Sequence, residues 1–501
     1  MHINRRELLR LCGGATMATW AGGIINGGII SGSGGLLLGC GEDQTTAPNL
    51  GLTHDSTPPT LGGDPSLSWW LRGNYAPVKD EYDSRDAGDT LEVIGALPPS
   101  LNGTLLRNGS NPKSEDPMFW FFGDGMLHGI NLGGGEARWY KRSWIKTPAV
   151  MGEQSGVAAG RANTSLVRHA GRTLALYEVA PPFEVRPDDL GSVGYHSFDG
   201  ATYGPMCAHP KVDPRTGEMW FIGVGMFPAE LSCTCVSAGG EVLRHSKIPL
   251  DAMRMIHDFQ LTQRFVVLLD LPVLLNPAFL SGGPMFEWRP DRVARIGLMP
   301  RHADLSETRW FEVEASYVFH TFNAYEEGDE VVLEACRLMP NAGDDFFTST
   351  SAPMPWRWSL NLTTGAVREE AIGERSSEFP TIDQRFQGQA HRFNYGLMMQ
   401  SPTADYPLHP YGLFQQDRLS GEVSAWDLGE AVQLDEAIFV PDSPEAGEGE
   451  GWLLSVAYNR PEARSELLVL DAQRVSDGPV ARVLLPSRVP FGFHGLWVPE
   501  G

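Results

Sequence analysis

Cysteine is scarce in this chain, with six residues in 501, and that scarcity excludes a disulfide-stapled scaffold. Cys233-Thr-Cys235 is too tightly spaced for an easy mutual bridge and has no second pair of the kind a zinc ribbon needs. Cys207, Cys233, Cys235 and Cys336 therefore read as buried small apolar residues. Positive charge is also short, since 39 Lys and Arg against 62 Asp and Glu leave a formal charge of −23. Such a surface repels polyanions, so no nucleic-acid partner is expected and electrostatic attraction to anionic headgroups is opposed. Missing too are a helical pattern of convincing length and a strict repeat of the kind that marks propellers with a consensus blade.

Turn chemistry, by contrast, is abundant. The 57 Gly, 37 Pro and 10% aromatic residues suit many short strands joined by turns, and one large all-β unit fits them better than several domains. Strands are expected over 118–123, 137–144, 173–178, 219–222, 265–269 and 452–458. Ahead of them, residues 1–39 form a targeting segment. Asn4-Arg5-Arg6-Glu7-Leu8-Leu9-Arg10 resembles a twin-arginine export signal, and the glycines of the uncharged stretch that follows weigh against a transmembrane helix. Leu37-Leu38-Gly39-Cys40 looks like a bacterial lipobox, in which Cys40 becomes the lipidated end of a periplasmic or cell-envelope lipoprotein. Residues 40–74 read as a flexible tether with Trp69-Trp70 as a surface or interface element near its end, and residues 75–501 as the folded domain.

The most informative stretch is 316–337. His320 lies among Tyr317, Val318, Phe319 and Phe322 in a strand that turns at Glu327-Gly328-Asp329 into a second β-rich run. An imidazole in that setting has lost water, so its nitrogens need hydrogen-bond partners or a metal. For His320 alone, a hydrogen-bonded core histidine is the simpler account. Three more histidines share the setting, however: His209 ahead of the strand at Met219, His257 ahead of the strand at Phe265, and His494 in Phe493-His494-Gly495. Each precedes or enters a strand among apolar neighbours, as expected if separate strands deliver one ligand each to a common centre. Imidazole serves Zn, Cu, Fe and Ni alike, so ligand type leaves the metal open.

These segments carry a resemblance. His209-Pro210-Lys211 with Asp213-Pro214, Ile256-His257-Asp258-Phe259, Phe319-His320 with Asn323-Ala324-Tyr325-Glu326, and Phe493-His494-Gly495 look like the four iron-binding segments of the carotenoid cleavage oxygenase family. Residues 101–109 and 122–129 resemble its N-terminal signatures, and the likeness runs over about 75–501. The resemblance implies a seven-bladed β-propeller with a loop and helix cap over one face and one Fe(2+) per chain on its axis, held by His209, His257, His320 and His494. It also implies three glutamates that take up the other ring N–H of ligand histidines, matched by local motif to Glu178, Glu378 and Glu436. Four neutral imidazoles add no charge and leave two positions of an octahedron open. Zinc is less favoured, because structural zinc usually recruits thiolates. His128, His169, His196, His391 and His409 fall in no matching segment and are expected to be non-ligands.

The activity so implied is O2-dependent cleavage of a C=C bond in a lipophilic alkene, with a carotenoid or apocarotenoid polyene as the leading substrate. Lignostilbene-cleaving relatives grip a phenol with a Tyr and a Lys, whereas the aligned positions here hold Trp144 and Tyr177. That departure weakens a stilbene substrate and makes Tyr177 and Trp144 the candidate substrate contacts. The apolar run 271–286 fits a tunnel lining, a membrane-dipping patch, or a buried strand end and loop. Two rival classes are an iron-dependent isomerase using the same histidines and a non-catalytic surface-binding propeller. Oxygen uptake and iron content separate them.

Overall fold

Apolar runs cut by tight turns fold into antiparallel meanders that stack as seven sheets of four or five strands. The computed structural model describes residues 50–500, apart from 53, 56–60, 114–116, 118, 156–158, 202–203, 227, 277, 280–282, 341–350 and 402–408. Blade 1 sets Gly103–Ser110, Gly125–Gly133 and Glu136–Trp144 between Tyr82–Asp83 at one edge and Gly495–Pro499 at the other. Blades 2 to 6 are four-stranded and follow chain order over 165–195, 211–249, 260–313, 317–371 and 377–427. Blade 7 begins with Val432–Pro441 and ends with Glu92–Gly95, which pairs with Pro479–Leu484. The ring is thus a seven-bladed β-propeller closed at two places by segments distant in sequence, the other being the register Gly103↔Pro499 to Arg107↔Gly495. The first strands of blades 4 to 7 lie beside one another in turn, and the last of these lies beside Gly495–Pro499. These edges form the wall around the axis.

The core lies between faces of adjacent blades. Trp358 is buried in one cluster with Leu298 and Leu333, Tyr395 in another with Leu397 and Leu413, and Leu268 in a third. Each such side chain contributes roughly 1.5–3 kcal/mol by leaving water. Cys207, Cys233, Cys235 and Cys336 are buried free thiols, as their apolar settings predict.

Several elements differ from the sequence expectation. Within the stretch read as a strand over 118–123, Trp120–Phe122 is a 3-10 turn; residue 118 lies outside the described residues. The strand read over 173–178 stops at Leu176. Helix is nearly absent: among the described residues the one α-helix is the four-residue Ser84–Ala87, so no helix of a cap is seen there. No helix among them is long and apolar enough to cross a membrane. The later part of the expected tether is packed rather than loose. Leu61, Asn74 and Tyr75 are buried, and Trp69 meets Tyr75 and Trp120 edge-on at 5.1 and 5.5 Å. Both ends of the 271–286 run are also buried, where Val273–Leu275 pairs with Phe286–Trp288. The targeting segment and Cys40 lie outside the described residues.

Candidate metal centre

The seven blades each bring one group to the axis. His320 rides on Tyr317–Glu327, the first strand of blade 5, where the ladder bulges between Val318 and Thr321. Glu378 and Glu436 sit in the same kind of irregularity, between Glu378 and Thr381 in blade 6 and between Leu434 and Ala437 in blade 7. A bulge breaks the strict alternation of a strand and re-aims a side chain, and here three bulges turn polar groups toward one point. His209, His257 and His494 lie just before the edge strands Lys211–Val212, Gln260–Leu261 and Gly495–Pro499 of blades 3, 4 and 1. Glu178 comes from blade 2, in the turn after Arg172–Leu176 that the Ala180 N–H closes on the Tyr177 carbonyl at 3.0 Å.

The four histidine ligand atoms fall within 4.8 Å of one another. Nε2 of His257 lies 3.0 Å from that of His209 and 3.2 Å from that of His320. On the opposite side of three rings, Nδ1 meets a carboxylate: His257 with Glu178, His320 with Glu378 at 2.6 Å, and His494 with Glu436 at 2.9 Å. An ionised carboxylate only accepts, so each of these Nδ1 atoms carries the hydrogen and each Nε2 presents a bare lone pair. Lone pairs at 3 Å repel unless a cation lies among them, and the buried setting offers little water to separate them. The donor set therefore fits a metal ion, with His209, His257, His320 and His494 as the residues that would hold it.

Electrostatics act unequally on the rings of the cluster. Burial, and then the three neighbouring imidazoles, hold His209 well below the ordinary histidine range. Burial also outweighs Glu436 at His494 and takes it down to about 4. At His320 burial works the other way from Glu378, and the carboxylate wins, so its affinity for a proton is raised. Glu436 is held below the usual range because His494 overcomes the cost of burial.

One neighbour was not legible as a site residue. Phe379 follows Glu378 with φ of 51° and lays its ring on His320, centroids 5.3 Å apart and planes at 27°. A bulky residue in that backbone region costs on the order of 1–3 kcal/mol, which the surrounding contacts must offset. Its own N–H donates to Glu378 at 2.6 Å, so the strained turn holds carboxylate and ring wall together. The Phe379-Pro380 dipeptide was visible in the sequence, but nothing in it signals a left-handed residue.

Tyr177 adjoins Glu178, as expected, but in a turn, so the strand alternation that would aim the two apart does not apply. Its phenol is buried, and burial raises its pKa. Trp144 belongs to a different cluster, with Met126 and Val150, and its indole N–H donates to the Asn111 carbonyl at 3.2 Å. The structure shows no contact between Trp144 and the four histidines. His128, His169 and His391 have their own partners in Tyr140, the Gly217 carbonyl and Asn394, and His409 pairs with Glu430. His196 is likewise outside the cluster.

A propeller whose blades converge four imidazoles backed by three carboxylates defines a class, and comparison with known proteins agrees. Residues 75–499 match the family described as retinal pigment epithelial membrane protein, and the chain belongs to that carotenoid oxygenase family. A carotenoid cleavage oxygenase of Mycobacterium tuberculosis is 34% identical over 498 residues, covering 86% of this chain and 97% of that one. Among solved structures, the lignostilbene dioxygenase of Pseudomonas brassicacearum superposes with a TM-score of 0.78 at 27% identity, over 86% of this chain and 99% of that one. The cobalt-substituted Synechocystis apocarotenoid oxygenase gives 0.76 at 26%, over 86% and 98%.

Proposed function

We propose that the protein is an Fe(II)-dependent dioxygenase that cleaves one C=C bond of a carotenoid or apocarotenoid polyene. The observation that carries the reading is the four-imidazole set whose Nε2 lone pairs converge while three Nδ1 atoms are tied to Glu178, Glu378 and Glu436. Bound there, iron would supply the redox and Lewis-acid chemistry that dioxygen needs to react with an alkene. The balance is one alkene and one O2 giving two carbonyl products, with no external reductant.

The chain's own residues do the rest. The carboxylates keep each Nδ1 protonated, which fixes ring tilt and tautomer and makes Nε2 a better donor. Aromatic side chains beside the histidines exclude water: Phe379 on His320, Phe319 at 5.6 Å from His257, and Phe493 next to His494, itself packed on Trp120 at 4.4 Å. Such walls suit a long apolar substrate. A stilbene-type substrate is the second reading, favoured by the likeness to the lignostilbene dioxygenase. Against it stand Tyr177 and Trp144 at the phenol-gripping positions. We place a polar end group of an apocarotenoid near the Tyr177 phenol, and the enzyme at the cell envelope through a lipid on Cys40.

The test is product analysis by mass spectrometry after incubating iron-loaded protein with carotenoids, apocarotenoids and stilbenes under O2. Two carbonyl fragments from a polyene are expected, each carrying oxygen. An isomerised substrate of unchanged mass with no O2 uptake would sink the dioxygenase reading, and cleavage of stilbenes alone would sink the polyene one.

A further inference from the structure

The carboxylates at Nδ1 account for the orientation of three rings. His209 has no such partner: among the described residues the carboxylates at the site go to His257, His320 and His494. Something else must place it. Two residues along the chain, Lys211 Nζ reaches Asp258 Oδ1 at 2.7 Å, and Asp258 directly follows His257. The second oxygen of Asp258 accepts from the backbone N–H of Thr321 at 2.9 Å and from its hydroxyl at 2.6 Å, and Thr321 directly follows His320. The Thr321 hydroxyl in turn accepts from the Gln260 amide at 2.8 Å. A single carboxylate therefore joins the segments that carry three of the four imidazoles, and those segments belong to three different blades.

We propose that Asp258 is a positioning residue which, through Lys211 and Thr321, sets the spacing of His209, His257 and His320; the proposal rests on the iron reading above. Asp258 is only 2% exposed, and Lys211 keeps 12% of its side-chain exposure. Desolvating such a pair is costly, and apolar residues of similar volume often serve stability as well or better. Stability alone gives no reason to keep a charge here, whereas directed bonds from one carboxylate give a fixed distance between segments that share no ladder. The arrangement also explains how His209 is held without a carboxylate of its own: its segment is anchored by the ammonium of Lys211.

The experiment measures Fe(II) affinity by chelator competition together with the thermal midpoint of the metal-free protein. Asp258→Asn combined with Lys211→Met removes the pair without leaving a lone buried charge. This double variant should keep a midpoint near wild type yet bind Fe(II) about 10- to 100-fold more weakly, as when a partner of a metal ligand is lost. Thr321→Val should also weaken binding, while Thr321→Ser, which keeps the hydroxyl, restores it. A double variant with wild-type midpoint and wild-type affinity overturns the proposal. If the double variant does not fold, equal affinity of the Val and Ser variants at Thr321 overturns it. Wild-type protein that binds no iron in the same assay overturns the iron reading and this one together, whereas iron-binding wild type with unaffected variants overturns this one alone.

Discussion

At the scale of the residue, the site is a set of one-atom decisions about where a proton sits. Glu378 holds the hydrogen of His320 on Nδ1, and Glu436 does the same for His494. Changing Glu178, Glu378 or Glu436 to Gln keeps size and removes charge and basicity, so Fe(II) affinity or turnover should fall about 10- to 100-fold while the fold survives. Metal analysis alongside circular dichroism checks this, and wild-type values in all three variants would refute the assignment. His391 offers a different test, away from the axis. Burial takes its pKa down to about 4, with Glu334 opposing and Arg418 adding to the shift. Because the folded value lies below the unfolded one, the unfolded chain binds the extra proton first. Stability should therefore fall as pH drops from about 6.5 to about 4, and this one group accounts for on the order of 3 kcal/mol of that loss. His391→Gln, neutral at every pH, should flatten that limb of the thermal midpoint against pH; an unchanged slope would count against it.

At the scale of the element, strand periodicity made many hairpins legible, but not the aim of the site residues. The hairpin turning at Gly328 could be read from its flanking alternation, and the structure places the turn there. Yet His320, Glu378 and Glu436 reach the axis because their strands bulge, and a bulge is set by tertiary contacts rather than by local propensity. The histidines stood out by their places at strand entries and then by motif likeness, and the carboxylates by motif likeness. The same limit hid Phe379. Closure of blade 1 shows a second device that spacing does not reveal. A Cβ built on Gly492 would meet the Asn108 carbonyl oxygen at 2.7 Å, and Asn108 donates its N–H to the His494 carbonyl at 2.9 Å. Gly492→Ala should push the final strand from its partner and cost about 1–3 kcal/mol as overpacking does. Iron content should drop with it, since His494 follows two residues later. Unaltered melting in the variant would show that the contact relaxes freely.

At the scale of the whole molecule, the proposed metal joins groups from four blades, so binding and folding are linked. A ligand that binds only the folded state adds about 2.7 kcal/mol at a free concentration one hundred times its Kd. Iron loading should raise the thermal midpoint accordingly, and His320→Ala should lose that increment as well as the iron. An equal rise in the variant would mean that the metal binds elsewhere.

The three histidine–carboxylate bonds run between blades, never within one. They tie blade 4 to blade 2, blade 5 to blade 6 and blade 1 to blade 7. Repeat architectures commonly fray one unit at a time, because each unit leans only on its neighbours. Here, opening any of those six blades breaks a bond to another, so local fluctuations are coupled through the axis. Native-state amide exchange reports such openings segment by segment. Glu378→Gln should hasten exchange in blades 5 and 6 together while blades 1 and 7 keep their wild-type rates, so that a chemical centre also governs which parts of the ring breathe in concert.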